Sequence, residues 1–134
     1  MTQLDCGADA LFQLVSDNPT IRFVFFEPPE HISLVWHRYV GEAASDSPAV
    51  KLAFLHRMST LPNFEYHDFG DRLVDMSAKC GAFVDETHFL PVVSDRMQRD
   101  IVAGTTRVTD QSYPDRLHAM LKKLDMPDFC EVGH

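Results

Sequence analysis

The stretch that decides the fold class is T-I-R-F-V-F-F, residues 20–26. It is β-branched and aromatic, and prolines bound it at position 19 on one side and at positions 28 and 29 on the other. A run this short and this densely apolar is typical of a buried strand or an extended segment that crosses the core, because a surface helix also carries a polar face. The stretch therefore predicts a strand in a chain whose remaining pattern is helical.

Apolar residues recur at helical spacing on both sides of this strand. Stripes and stop signals predict six helices, at about residues 5–17, 29–43, 48–60, 69–80, 91–103 and 113–125. In the clearest helix, apolar residues follow a proline of the first turn at i, i+3, i+4, i+7 and i+8, and they are Ile32, Val35, Trp36, Tyr39 and Val40. Most aromatic residues on such a stripe are core residues, so Trp36 is predicted to face the core.

Two short segments are harder to assign. Residues 105–109 are β-branched and predict a second strand that pairs with residues 20–26, whereas residues 63–67 have no clear period and predict a loop. We therefore expect a mainly α, compact single domain over residues 1–134, with about six helices, one or two short strands and a loose tail at 127–134. An α+β fold with a small sheet is the alternative.

The charge pattern excludes some classes of partner. The chain of 134 residues has 20 acidic and 12 basic side chains, a formal net charge of -8, and its one adjacent basic pair is Lys122-Lys123. Nucleic acids and anionic membrane surfaces attract clustered Lys and Arg, so neither is expected as a partner. No apolar run approaches the roughly 20 residues of a membrane helix. A protein with a basic surface is the expected partner.

The three cysteines and the amino terminus bear on the compartment. Three thiols leave one unpaired under any disulfide scheme, and the first residues lack the basic region and apolar run of a signal peptide. We therefore expect a cytoplasmic protein with reduced cysteines.

The seven histidines do not follow the spacings of known metal-binding motifs. No two lie at i, i+4, and no H-E-x-x-H occurs. The favoured prediction is that no metal or other cofactor binds, with Asp68 or Asp71 capping the next helix and His67 in a solvated loop. The alternative is a metal-dependent hydrolase whose site combines His67 and Asp68 with His31, His37 or His56.

No nucleophile elbow and no Gly-rich phosphate loop occurs in the sequence. We therefore predict a non-catalytic, acidic protein-binding module, such as a small regulator, inhibitor or immunity-type protein. The alternatives are the hydrolase and an intracellular sensor of a small ligand. A strand with few partners in its own chain recruits a second chain, so homodimerisation through Phe23 and Phe25 is also predicted.

Overall fold

The structure is a computed structural model, and it describes residues 3–39, 47–70, 82, 83 and 88–124. Within these residues the elements are α1 (Gln3–Asp17), β1 (Phe23–Glu27), α2 (Ile32–Tyr39), α3 (Ser47–Met58), β2 (Phe64–Asp68), α4 (Pro91–Ala103) and α5 (Tyr113–Leu124). The prediction of a mainly α protein with a small sheet is confirmed, with five helices rather than six in the part described. The predicted helix at 69–80, apart from its first two residues, and the tail at 127–134 lie outside the described residues.

None of the described helices is both long enough and apolar enough to cross a bilayer.

The helix predicted at 29–43 begins only at Ile32. Its first turn is capped by the imidazole of His31, whose Nδ1 lies 2.8 Å from the Ser33 hydroxyl and accepts the Ser33 backbone N–H at 3.3 Å. The two prolines before it continue the extended chain, so Pro29 precedes the helix and does not open it.

The loop prediction for residues 63–67 was wrong, because residues 64–68 form β2. This strand pairs in parallel with β1, in a register that runs from Phe23 opposite Phe64 to Glu27 opposite Asp68. In F-E-Y-H-D, Phe64, Tyr66 and Asp68 lie on one face and Glu65 and His67 on the other. Phe64 and His67 are both buried, so the strand shows no simple alternation of buried and exposed residues.

The predicted pairing of residues 105–109 with residues 20–26 was also wrong. Gly104, at a φ of 69°, ends α4 in the left-handed conformation and is followed by a segment that lies along β2. There the Asp68 N–H donates to the Thr106 carbonyl at 3.1 Å, and the Val108 N–H donates to the Tyr66 carbonyl at 2.8 Å. This segment makes one bridge and no regular strand, so β2 is flanked on both sides and β1 lies at the edge of the sheet.

The two faces of the sheet have different surroundings. Phe25, Phe64 and Tyr66 lie on the face covered by α1 and α3, next to buried residues such as Val15 and Met58. Beyond the other face, Phe69 is buried against Val93 and Met97 of α4. A third group joins α2 to α5, and there Trp36 is partly buried against Val35, Met120 and Leu124.

Candidate functional site

The two strands end side by side in acidic residues. Glu27 and Asp68 are the last residues of β1 and β2 and are paired in register. Lys51 extends from α3 between them, so that its Nζ donates to Asp68 Oδ2 at 2.7 Å and also contacts Glu27 Oε2. The carboxyl ends of parallel strands are a common location for binding sites in proteins. We call the group Glu27, Lys51, Tyr66, Asp68 and Tyr113 the polar cluster.

The phenol of Tyr66 and a second cation, Arg38, complete the surroundings of Glu27. The Tyr66 hydroxyl donates to Glu27 Oε2 at 2.7 Å, while Arg38 Nη1 lies 4.0 Å from Glu27 Oε1. The same guanidinium forms a closer ion pair with Glu30, at 2.7 Å. The side chain of Lys51 is only 11% exposed, so its charge is compensated mainly by these carboxylates and not by solvent.

The electrostatics fix the protonation states of the polar cluster. Burial alone would lower the pKa of Lys51, but the carboxylates of Asp68 and Glu27 outweigh burial and hold this pKa above its ordinary value. Burial raises the pKa of Tyr66 and of Tyr113. At neutral pH Lys51 is therefore a cation and both phenols keep their protons. The polar cluster provides charge and hydrogen-bond donors, and Lys51 is not a neutral amine that could act as a nucleophile.

A narrow cleft lies between the polar cluster, α2 and α5. It leaves about 20 Å³ in which the centre of a water molecule can lie, which is room for one water or one polar group of a ligand. Tyr113, which is 3% exposed, lines this cleft, and its hydroxyl has no hydrogen-bond partner among the described residues. The neighbouring phenol of Tyr39 adds to the rise in the pKa of Tyr113 that burial causes.

The structure does not bring His67 and Asp68 together. They are adjacent residues of a strand, so their side chains leave β2 on opposite faces. Asp68 enters the polar cluster, whereas His67 is fully buried on the other face with Nδ1 3.0 Å from Thr106 Oγ1. The expectation of a solvated His67 was therefore wrong. Burial lowers the pKa of this histidine, and its Nε2, 3.7 Å from Glu65 Oε2, has no hydrogen-bond partner in the part of the chain described.

The three histidines considered as additional ligands lie in different places. His31 is buried and caps α2, while His37 is exposed on that helix beside Trp36. His56 on α3 is 80% exposed and pairs with Asp110 at 2.8 Å. Across residues 3–39, 47–70, 82, 83 and 88–124, no three His, Cys, Asp or Glu side chains are grouped as metal ligands would be.

The edge strand β1 has one packed face and one exposed face. Phe23 and Phe25, predicted to mediate self-association, pack against the core, whereas Val24 and Phe26 are 38% and 52% exposed. The Phe23 N–H donates to the Asn63 carbonyl, so the odd-numbered residues of β1 direct their backbone groups towards β2. The backbone N–H and C=O groups of Val24 and Phe26 point away from β2, and no described residue forms a backbone hydrogen bond with them. We call this side of β1 the open edge.

Four residues of the polar cluster were not predicted from the sequence: Glu27, Lys51, Tyr66 and Tyr113. Glu27 carries a signal in the sequence, because an acidic residue that lies between an apolar strand and two prolines marks the end of that strand. Lys51 carries no comparable signal, because it is one basic residue on a helix and meets the strand ends only in the folded chain.

Comparisons with known proteins assign no family to this chain. No protein-family model matches the sequence, and no curated protein and no solved structure is significantly similar to it. Function is therefore inferred from the polar cluster and the open edge.

Proposed function

We propose that this protein is a non-catalytic binding module, of the regulator, inhibitor or immunity type, that docks on a protein partner through the open edge of β1. The observation that carries the proposal is the exposure of Val24 and Phe26 on a strand whose outward backbone groups have no partner among the described residues. Such an edge offers main-chain hydrogen bonds for affinity and alternate side chains for specificity, which is how partners bind by strand addition.

The composition of the open edge supports this interpretation. Soluble proteins usually protect an edge strand with charged side chains, bulges or a covering element, because an apolar edge pairs with other chains. On β1 the outward side chains are those of Val24 and Phe26, and Ile21 just before the strand is 51% exposed. Pro28 and Pro29 limit the edge to a short segment. A partner therefore pairs with only a few residues here.

The polar cluster also favours binding over catalysis. Lys51 keeps its proton, and its ammonium is held by two carboxylates that also fix the ends of both strands. This arrangement stabilises the sheet and places no weakly held proton at a reacting centre. With a net charge of -8, the chain attracts a partner whose docking surface is basic, and the association rate should fall as salt screens that attraction.

The test is capture of a partner from an extract of the source cells on immobilised protein. We expect the wild type to retain a defined protein, Phe26→Lys to lose it, and Val102→Lys to retain it. Val102 is the matched control because it is an exposed apolar residue, 89% accessible, on α4. Retention of the partner by the wild type and both variants, or by none of the three proteins, would reject docking at the open edge.

A second candidate function is the binding of a small polar ligand in the cleft. The hydroxyl of Tyr113, which has no hydrogen-bond partner among the described residues, favours it. A buried hydroxyl without a partner costs free energy, and a ligand group or a water removes that cost. Native mass spectrometry of protein purified without denaturation tests this candidate. We expect a bound small molecule in the wild type and its loss in Tyr113→Phe, and a wild type of bare chain mass would reject it.

A further inference from the structure

We propose that one occupant of the open edge is a second copy of this chain, paired antiparallel with the first about a two-fold axis that passes beside Phe25. This inference rests on the proposed function, since it uses the same edge, and it adds a second copy of the chain to the basic protein partner proposed above. A two-fold interface requires a self-complementary surface. Of the two-fold registers open to β1, the one centred at Phe25 best matches its exposed residues.

The backbone limits the possible registers. In an antiparallel pair, two opposite residues whose groups face the partner strand exchange both N–H···O=C bonds. The outward residues of β1 are Val24 and Phe26, so an axis beside Phe25 places Val24 of one copy opposite Phe26 of the other, twice. Four backbone hydrogen bonds result, and the two-stranded sheet becomes a four-stranded sheet across the dimer.

The exposed side chains fit the same register. Val24 of each copy lies beside Phe26 of the other on one face of the joined sheet, and an aromatic residue opposite a β-branched one is a favourable cross-strand pair. These two residues are 38% and 52% exposed in the single chain, so the pairing removes apolar surface from water in both copies.

Slipped registers are less favourable for identifiable reasons. Moving the axis by one residue towards the start of β1 places Phe26 opposite Arg22, whose guanidinium is already paired with Glu65 at 2.7 Å. Moving it by one residue the other way places Val24 opposite Pro28, which has no N–H to donate. The register centred at Phe25 is the one that matches apolar with apolar residues and uses every outward group within the strand.

Salt distinguishes this dimer from a complex with a basic partner. Each copy carries a formal charge of -8, so two copies repel one another and added salt should strengthen the dimer. The complex with a basic partner should respond in the opposite direction. The sign of the salt effect therefore shows which complex is measured.

The first test is sedimentation of the untagged protein between 1 and 100 μM at two salt concentrations. We expect a monomer–dimer equilibrium that shifts towards dimer with salt, an increase of at least tenfold in the dissociation constant for Phe26→Lys, and little change for the control Val102→Lys. A wild type that stays monomeric throughout overturns the inference. If that monomer still captures a partner that Phe26→Lys loses, the proposed function stands without it.

Disulfide trapping tests the register in a chain whose native Cys6, Cys80 and Cys130 are replaced by Ser. A mixture of Val24→Cys and Phe26→Cys chains should form a cross-linked heterodimer on mild oxidation, because opposite Cα atoms lie about 5.5 Å apart. Either variant alone should cross-link far less, since its two thiols belong to residues offset by two positions, about 8 Å apart. Efficient cross-linking of Val24→Cys alone would overturn the register.

Discussion

Replacing Lys51 with Met should destabilise the fold, because it removes the only cation that contacts both strand-end carboxylates among the described residues. Glu27 and Asp68 would then face each other across the ends of two paired strands, at side-chain exposures of 31% and 14%. Met has about the length of the lysine stem, so most of the packing of Lys51 beside the rings of Tyr66 and Tyr113 is kept. The substitution therefore tests the charge more than the volume.

The size of the destabilisation depends on the contacts that still compensate the charges of Glu27 and Asp68 when Lys51 is replaced. Leaving a buried charge without its partner costs about 3 to 5 kcal/mol. In this case Glu27 keeps the Tyr66 hydroxyl, has Arg38 at 4.0 Å and is nearly one-third exposed, while Asp68 keeps the Gly70 N–H at 2.8 Å. These contacts reduce the expected loss in the free energy of unfolding to about 2 to 4 kcal/mol at neutral pH.

Urea denaturation followed by circular dichroism measures this loss. Lys122→Met is the matched control, since Lys122 is an exposed lysine near the end of α5, and it should cost no more than about 1 kcal/mol. Adding Glu27→Gln and Asp68→Asn to Lys51→Met should recover part of the stability, because the buried charges are then gone. A loss below about 1 kcal/mol for Lys51→Met, or no recovery in the triple variant, would refute the view that Lys51 compensates the two carboxylates.

Three further predictions concern stability and are read from denaturation curves. Trp36→Ala should lower the free energy of unfolding by about 2 to 4 kcal/mol. This is less than for a fully buried tryptophan, because Trp36 packs on the α2–α5 core but is only partly buried. A loss near zero would place Trp36 outside the core. Asn63→Ala should cost about 1 to 3 kcal/mol, since its amide donates to three carbonyls, those of Val15, Asn18 and Ile21, at 3.0 to 3.1 Å; a neutral result would contradict that role. His67 has a lowered pKa, so the unfolded chain binds its proton first and stability falls as the pH drops below about 6.5, by up to about 1.4 kcal/mol per pH unit. His67→Gln should remove this part of the acid sensitivity, and an unchanged pH profile would contradict a buried neutral imidazole.

The helices were predictable because each carries its own local signal. The helix predicted at 91–103 coincides with α4, in which Val93 and Met97 are buried and after which Gly104 ends the helix. β2 was missed because five residues give a weak period, and because Tyr66 and His67 are polar enough to suggest a loop. Their burial depends on the helices and the 104–109 segment that cover the two faces of the sheet.

The polar cluster could not be predicted in the same way. Lys51 approaches Glu27 across 24 residues of chain and Asp68 across 17, so no local spacing relates them. The alternative of a metal site at His67 and Asp68 was based on the opposite kind of evidence, since it grouped two neighbours in sequence. Once that dipeptide is known to lie in a strand, alternation alone sends the two side chains to opposite faces.

Both ends of β1 are fixed by polar contacts, and this bears on how the open edge binds. At its start the Asn63 amide holds the Ile21 carbonyl at 3.0 Å, and at its end Glu27 is held by Lys51 and Tyr66. A strand that is already ordered loses little conformational entropy when another strand pairs with it. Two copies of β1 would both be ordered before they meet, whereas a flexible peptide must be ordered on binding. The same few hydrogen bonds therefore yield more affinity in the symmetric dimer than with an unstructured partner of equal length.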